Sequence, residues 1–578
     1  MTRTANYKDR ASFVGHGASK RKVSGQAEAA VILIGAGPCG LILAIELGRR
    51  AVRTIVLEEK ISPTPFPQAN ATQARTMEHY RRLGLAEHIR SQGLPPSYPT
   101  DIAYFTRFTK HELARFNLPA ARQARELIKT LTGSWRAAEL PHRCSQMFVE
   151  RILRAEAEAL DAVTIHSGWC ATRAQQSDAG VTVEAVSADG RDHRTLRCKF
   201  VVGADGGRSM TRRSLGANLV GEAGVVRDFL GGRMLATYIR TGKLNDLIPY
   251  PPAWTYSTVN RDCRAIMFAI NGRDEFVVHT QLGADERAED ISDSRAKAMF
   301  HAALGKPLDV EIIARSSWTA GHTLVADKFQ RGRVFLSGDA AHLFTPTGGL
   351  GYNTAVEDAV NLGWKLAATV KGWGGPHLLD TYKVERQAIA KRNTNYARSF
   401  AASIGGYVPP VDLEDESPSG EAARHAAGDY LNAHARAEYN IPGITFGGRY
   451  DSSPITVSDG TVPPSDTANA YVPTACPGGR PPHIWLSDGR SLFDTFGPEF
   501  SLLRLGPRMP EVTQFVEAAK ALSIPLTVVD AASEETYELY GSELALVRPD
   551  QVIAWRGDEH ADPRAILRQA TGHTDAVR

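Results

Sequence analysis

The sequence predicts an α/β protein, on three observations. Ala30–Ile34 is a continuous apolar run with the β-branched content of a buried parallel strand. Gly35, Gly37 and Gly40 follow at G-x-G-x-x-G spacing, and LILAIELGRR then carries apolar residues at helical intervals. A second strand-like run, RTIVLEE, comes about 20 residues on and ends in Glu58. Strand, glycine turn, helix, strand and terminal acid together make the βαβ unit of a Rossmann-like fold that binds a dinucleotide. Gly35 allows the tight turn, Gly37 lets a pyrophosphate approach the backbone, and Gly40 lets the helix pack on the strand. The helix N-terminus offers unpaired N–H groups to the phosphate, and the Glu58 carboxylate is placed to hold a ribose hydroxyl.

The chain has 578 residues, too many for one core, so two to four domains are expected. Its 43% apolar and 23% charged residues are ordinary for a globular protein. A net charge of +3, from 67 basic against 64 acidic residues, argues against nucleic acid or a membrane surface as partner. No apolar run approaches the roughly 20 residues of a membrane span. Residues 1–29 are polar and basic with no apolar h-region, which reads as a disordered arm and not a signal peptide. Six scattered cysteines show no C-x-x-C and no metal-ligand spacing, so reduced thiols in a cytoplasmic protein without a metal are expected.

After Glu58 a proline-rich loop feeds a helix beginning near Gln73. Gln73 and Arg75 sit at its entry, close in sequence to the ribose-binding strand end, where either side chain can meet a phosphate or a ring edge. Residues 100–140 carry aromatics and charges in short blocks that read as strands or loops outside the nucleotide fold. PHRCSQMFVERILRAEAE makes an amphipathic helix with Gln146 in its first turn. Residues 162–202 alternate like a β-meander and end in a second strand-to-glycine junction, Asp205-Gly206-Gly207. Residues 220–310 hold further strand-like segments rich in aromatics, among them Tyr238, Tyr250, Trp254, Tyr256 and Phe268, and read as a separate sheet layer.

The second informative stretch is RGRVFLSGDAAHLFTPTGGLGYNTAVEDAVNLGWKLAA, residues 331–368. Val334–Ser337 is a short buried strand, and Asp339 at its carboxyl end is placed to accept hydrogen bonds from a polyol. The glycine-rich loop Gly348–Gly351 opens a long helix, a second anion-stabilising device in the same chain.

GAGPCG with Glu58, then GADGGRS, then GDAAHLFTPTGGLGYNTAVEDAVNLGWKLA, in this order and at these separations, resemble the FAD-dependent aromatic hydroxylases, the single-component flavoprotein monooxygenases of the phenol hydroxylase and 4-hydroxybenzoate hydroxylase type. The resemblance covers roughly residues 28–400. It implies that Gly35, Gly37, Gly40 and Glu58 hold the ADP half of FAD. Asp205, with Gly206, belongs to a motif serving both FAD and the nicotinamide cofactor, and Asp339 hydrogen-bonds the ribityl chain. Gln146 matches a glutamine that touches the flavin side chain; Gly348, Gly349, Leu350, Gly351 and Asn353 match the loop facing the pyrimidine ring; the Pro346 carbonyl lines the reacting site. The P-G-x-R-x-P-H, L-V-R-P-D and A-W-R runs of the last domain resemble the thioredoxin-like domain of phenol-hydroxylase-type members, here without redox cysteines and so suited to packing or to a homodimer.

The implied fold is α/β: a Rossmann-like FAD-binding domain (30–220 and 311–400, with 100–140 partly in the substrate layer), an inserted β-sheet substrate domain (221–310), a linker (401–441) and a C-terminal thioredoxin-like α/β domain (442–578). The implied activity is hydroxylation of a small phenolic aromatic, in which NADH or NADPH reduces FAD and O2 forms a C4a-hydroperoxide. No second G-x-G-x-x-G follows a strand, so the nicotinamide cofactor must bind transiently on the flavin domain. A departure from the pattern concerns Asn70, five residues before Arg75, where phenol-hydroxylase relatives often carry a histidine; Asn cannot act as a base, which argues against simple phenols. His342, after the G-D pair, reads as structural. Epoxidation or Baeyer–Villiger oxidation of a polyketide-like molecule, and a non-catalytic flavin-binding regulator, are the alternatives.

Overall fold

Five parallel strands organise the computed structural model, which describes residues 27–63, 65–225, 231–283 and 285–573. The arm expected at residues 1–29 lies, up to Gln26, outside the described residues. The strands are β1 (Ala29–Ile34), β2 (Thr54–Glu58), β3 (Val163–Ser167), β4 (His193–Gly203) and β5 (Val334–Leu336), in the spatial order β5-β4-β1-β2-β3. The order reverses at β1, so the chains leaving β1 and β4 part and open a crevice at the carboxyl ends of the strands. Helices α1 (Pro38–Arg49), α2 (Ala74–Arg82), α3 (Gln146–Glu158) and α4 (Leu350–Lys371) share one apolar core with this sheet through Ile42, Tyr80, Leu153 and Val356. The meander Trp169–Ser177 and Gly180–Ser187 pairs antiparallel onto β4.

A second sheet of seven strands lies beside the first. Its spatial order is Glu311–Ala320, Gly232–Arg240, Glu275–Gln281, Ala265–Ala269, Thr255–Thr258, Ile102–Phe105 and Glu112–Phe116. All neighbours are antiparallel except Thr255–Thr258 and Ile102–Phe105. Two boundaries differ from those expected. The sheet does not stop at residue 310, because Glu311–Ala320 pairs along the whole of Gly232–Arg240. Nor is 401–441 a linker. Helix α5 (Thr381–Gly406) runs into it, and α6 (Pro418–Tyr439) seats Ala427, Leu431 and Ala435 in the core of the second sheet with Phe105 and Tyr256. Those three residues are four apart on one helical stripe, but two are alanines set among charged residues, so the stripe is faint in the sequence.

The C-terminal region forms a four-stranded sheet, ordered Leu526–Asp530, Phe500–Arg504, Leu544–Val547 and Ile553–Gly557, with helices Thr513–Ala521, Glu534–Tyr540 and Pro563–Ala570, a thioredoxin-like arrangement. All six cysteines of the chain are free thiols. Among the described residues no helix is long and apolar enough to cross a membrane.

Buried charges seat this domain. Arg548 donates to Glu385 of α5 (2.8 and 2.9 Å) and to Asp550 (3.0 and 2.6 Å), and Lys365 of α4 reaches the same Glu385 at 2.5 Å. Arg548, Lys365 and Glu385 have no exposed side-chain area. Glu78 of α2 accepts from Arg480 (2.9 and 2.5 Å), from Arg75 (3.0 Å) and from the Ala138 N–H (3.0 Å). Burial alone would raise the Glu78 carboxyl, but the two guanidinium groups outweigh it and bring it down to about 2. Removing one partner of such a cluster strands the others in a low dielectric, at a cost of about 3–5 kcal/mol.

Glu78→Gln is therefore expected to lower stability at pH 7 by about 3 kcal/mol or more. The pH dependence has a fixed sign. A carboxyl depressed in the folded state contributes fully above its unfolded value and loses that contribution as pH falls towards about 2. Calorimetric unfolding from pH 7 down to pH 3 should show the wild type losing stability below about pH 4.5, and the variant losing less.

Candidate active site

The crevice starts at the end of β1. Gly35 sits at φ +105°, and a Cβ there would lie 2.3 Å from the Ala204 carbonyl oxygen. Gly40, one turn into α1, is equally constrained, since its Cβ would fall 2.0 Å from the Gly35 oxygen. Gly37 is different. It is the N-cap of α1, has no side-chain cap, and a Cβ on it would meet nothing within 4 Å. The first N–H groups of α1 thus face an open cradle suited to an anion. Glu58, at the end of β2, accepts from the Ala36 N–H (2.7 Å) and the Lys60 N–H (2.9 Å), which ties the second strand to the glycine turn and leaves the carboxylate lone pairs for a ribose. Ala36, Gly37, Glu58 and Lys60 line an open crevice together with Phe66, Gln146, Met147 and Glu150. Gln146 donates to Glu150 (2.6 Å), whose carboxyl is raised by burial.

The two strand-end aspartates have unlike surroundings. Asp205 accepts from Ser209 Oγ (2.5 Å), the Thr211 N–H (2.9 Å) and Thr211 Oγ1 (3.0 Å), so its carboxylate is taken up in its own turn, beside Gly206 at φ +71°. Asp339 accepts no hydrogen bond among the described residues. It is exposed to solvent yet crowded by protein atoms, as a carboxylate on a crevice wall is, and that crowding raises its carboxyl. Gly338 beside it wedges between the two glycine-led helices: a Cβ there would lie 3.3 Å from both Cys39 of α1 and Ala355 of α4. Arg212 fastens the two turns together, donating to Gly207 O (2.7 Å) and Ala340 O (3.1 Å). His342 is buried and bonded to Asp358 (2.6 Å), away from solvent.

At the start of α4, Gly348 and Gly349 take left-handed conformations (φ +69° and +64°) between Pro346 and the first helical residues, Leu350 and Gly351. Asn353 holds this loop. Its Oδ1 accepts from the Gln73 N–H (2.8 Å) and Thr76 Oγ1 (2.7 Å), and its Nδ2 donates to Ala71 O (3.0 Å) and Gly349 O (2.6 Å). Gln73 adds a bond from Nε2 to Gly348 O (2.9 Å). The side chains of Gln73 and Asn353 therefore position the loop. The Arg75 guanidinium turns away from the crevice, to Glu78 and to the carbonyls of Asp550 (3.1 Å) and Gln551 (2.9 Å). Asn70 is buried with Oδ1 unpartnered, as are Ser145 Oγ and Thr345 Oγ1, next to Gln146 and Pro346. The open Gly37 cradle, the partnerless Asp339 and these orphaned acceptors fit a bound FAD.

An aromatic wall from the second sheet stands opposite. Trp318, His279, Phe268 and Trp254 follow one another at centroid spacings of 5.8, 5.7 and 5.4 Å. Phe268 and Trp318 pack with Phe66 and Met147 of the crevice lining. His279 Nδ1 accepts from Trp318 Nε1 (3.1 Å), so in its neutral form the proton sits on Nε2. Burial lowers its pKa to about 4 and keeps it neutral. The sequence marked Trp254 and Phe268 as sheet aromatics, but nothing in EFVVHTQL singled out His279, whose tautomer is set by a residue 39 positions away.

These geometries separate two kinds of glycine. Gly37→Val should leave the melting temperature of the FAD-free protein nearly unchanged while greatly reducing FAD retained on purification. Gly40→Ala should lower the amount of folded protein itself. Flavin absorbance per chain and thermal unfolding of the two variants check this.

Residues 28–397 match the family described as FAD binding domain, and residues 474–574 match the family described as aromatic-ring hydroxylase, C-terminal. The chain is 30% identical to the FAD-dependent monooxygenase apdD of Emericella nidulans, over 94% of this chain and 90% of that one. It is 28% identical to phenol 2-monooxygenase of a Pseudomonas species, over 93% and 92%. The solved structure of the rebeccamycin biosynthetic enzyme RebC with reduced flavin superposes with a TM-score of 0.83 at 30% identity, covering 94% of this chain and 99% of that one. The chain belongs to the family of FAD-dependent aromatic-ring monooxygenases.

Proposed function

We propose that this enzyme uses NAD(P)H and O2 to insert one oxygen atom into a small aromatic molecule of more than one ring, bearing a phenolic or enolic oxygen. The supporting observation is at Gly338, which packs between the first two turns of α1 and α4 beside the partnerless Asp339 carboxylate, while Phe268 and Trp318 of the ring wall pack with Phe66 and Met147 of the crevice lining. FAD, when bound, supplies the redox and oxygen-activating chemistry. The chain's own residues bind and orient. The N-terminus of α1 takes the pyrophosphate, Glu58 a ribose hydroxyl and Asp339 a ribityl hydroxyl. The first N–H groups of α4, at Leu350 and Gly351, would stabilise negative charge on the bound flavin ring. A helix N-terminus favours negative charge there by up to about 2 kcal/mol, or roughly 1.5 pK units.

The wall runs across several strands of the sheet and is longer than one phenol ring, which supports a multi-ring substrate. An ordinary phenol needs about 4 kcal/mol to ionise at pH 7, and Asn70 cannot take its proton. We assign that help to His279, whose neutral Nε2–H is free to donate to the substrate oxygen as negative charge develops on it. With one dinucleotide fold in the chain, NAD(P)H docks on the flavin domain only while it reacts.

The purified protein is expected to be yellow and to oxidise NADH or NADPH faster when multi-ring phenols are added, with one atom from 18O2 in the product and its position given by NMR. A colourless protein that refuses FAD, or one whose cofactor oxidation no aromatic stimulates, would overturn the reading. His279→Phe should keep its FAD and lower kcat by about 10²-fold; stopped-flow separation of flavin reduction from product formation should place the loss in the second.

A further inference from the structure

Arg143 is the charged group that the binding and folding roles above leave unused. It lies on the two-residue strand His142–Arg143, paired with Ala71–Thr72, directly opposite Ala71. Residues directly opposite in an antiparallel pair project to the same face. The Ala71 side chain marks that face, since a Cβ on Gly349 would lie 3.0 Å from it. Arg143 therefore projects towards the loop at the start of α4 and across to the second sheet, where its guanidinium stacks 4.3 Å from the centroid of the Trp254 ring.

Arg143 as a residue is 6% exposed, and its guanidinium forms no ion pair and donates no hydrogen bond among the described residues. The carboxylate on the neighbouring helix is already used: Glu438 accepts from the Gly348 N–H (2.9 Å) and pairs with His434 (2.9 Å). Other buried arginines of the chain, Arg90, Arg386, Arg480 and Arg548, are each matched to a carboxylate. Burial brings the Arg143 pKa down only to about 10, so it stays charged at neutral pH. A buried cation is costly unless paired, and the planar fork of arginine suits bidentate binding of an oxyanion beside a stacked ring.

We propose that Arg143 recognises the substrate, and that the substrate is a planar aromatic carrying an anionic oxygen, as a carboxylate or an ionised enol, laid along Trp254. The inference rests on the monooxygenase reading above and names the chemistry that reading lacks. It also explains how a wall of rings can select: the rings supply area, and the Arg143 cation decides which molecules stay.

The test uses the FAD-loaded enzyme and two matched probe pairs, 3-hydroxy-2-naphthoate with its methyl ester and 4-hydroxycoumarin with 4-methoxycoumarin, titrated against the flavin absorption spectrum at pH 7.5. The acid of at least one pair should bind wild type about 10-fold or more tighter than its neutral partner, and which pair shows this tells carboxylate from enolate. Arg143→Met should abolish that preference while weakening the neutral partner little, and Arg143→Lys should keep part of it. Equal affinity for acid and neutral partner in both pairs, no binding of either acid at millimolar concentration, or a preference that survives in Arg143→Met overturns the proposal. Arg143→Lys loaded with FAD serves as the second variant if Arg143→Met does not fold. Failure of the wild type to take up FAD would count against the monooxygenase reading instead.

Discussion

The side-chain amide of Asn353 uses its whole hydrogen-bonding capacity: two bonds accepted by Oδ1 and two donated by Nδ2. Its partners belong to three separate pieces of chain, the short strand Ala71–Thr72, the first turn of α2 and the glycine loop before α4. The rest of the site depends on this join. The loop's left-handed glycines have no regular structure of their own to hold them, and Asn353 gives them the position of a strand edge. The same strand edge carries Arg143 on its other member, so one amide sets the distance between the start of α4 and that guanidinium.

Around that join the protein spends buried charge on docking. Arg548, Glu385, Lys365 and Asp550 form one cluster, Arg480, Glu78 and Arg75 another, and each contains members from the C-terminal region and from the flavin core. Such pairs add little net stability over a well-packed apolar contact. Their value is geometric, because a domain seated in another register would strand every one of them. Arg75 illustrates the division of labour. By sequence it sits at the mouth of the nucleotide site, yet its guanidinium is a bracket for the last domain.

Fold and site are not equally legible in the sequence. The G-x-G-x-x-G turn, Glu58, Asp339 and the glycine loop were readable because their chemistry is local: a backbone too close for a Cβ, a helix end, an acid at a strand end. The core helix α4 was readable from its long apolar pattern. The second sheet's last strand and α6 were not, since an edge strand with alternating polar residues and a helix whose buried stripe is mostly alanine carry weak signals. Asp205 is placed by the resemblance in a motif serving FAD and the nicotinamide cofactor, and only the turn around it shows that its carboxylate is taken up by Ser209 and Thr211.

The sequence by itself determined the dinucleotide fold, because that rests on backbone geometry that glycines at fixed short spacings permit; FAD and the family came from the likeness of three motifs to the aromatic hydroxylases. Tertiary structure alone decided which polar groups remain free. A hydrogen bond is settled by partners hundreds of residues apart, as when Gln73 meets Asn353 or Arg75 meets Gln551. What is left unpaired when every such pairing has been made, the His279 Nε2–H and the Arg143 guanidinium among the described residues, is written in no single stretch of the chain.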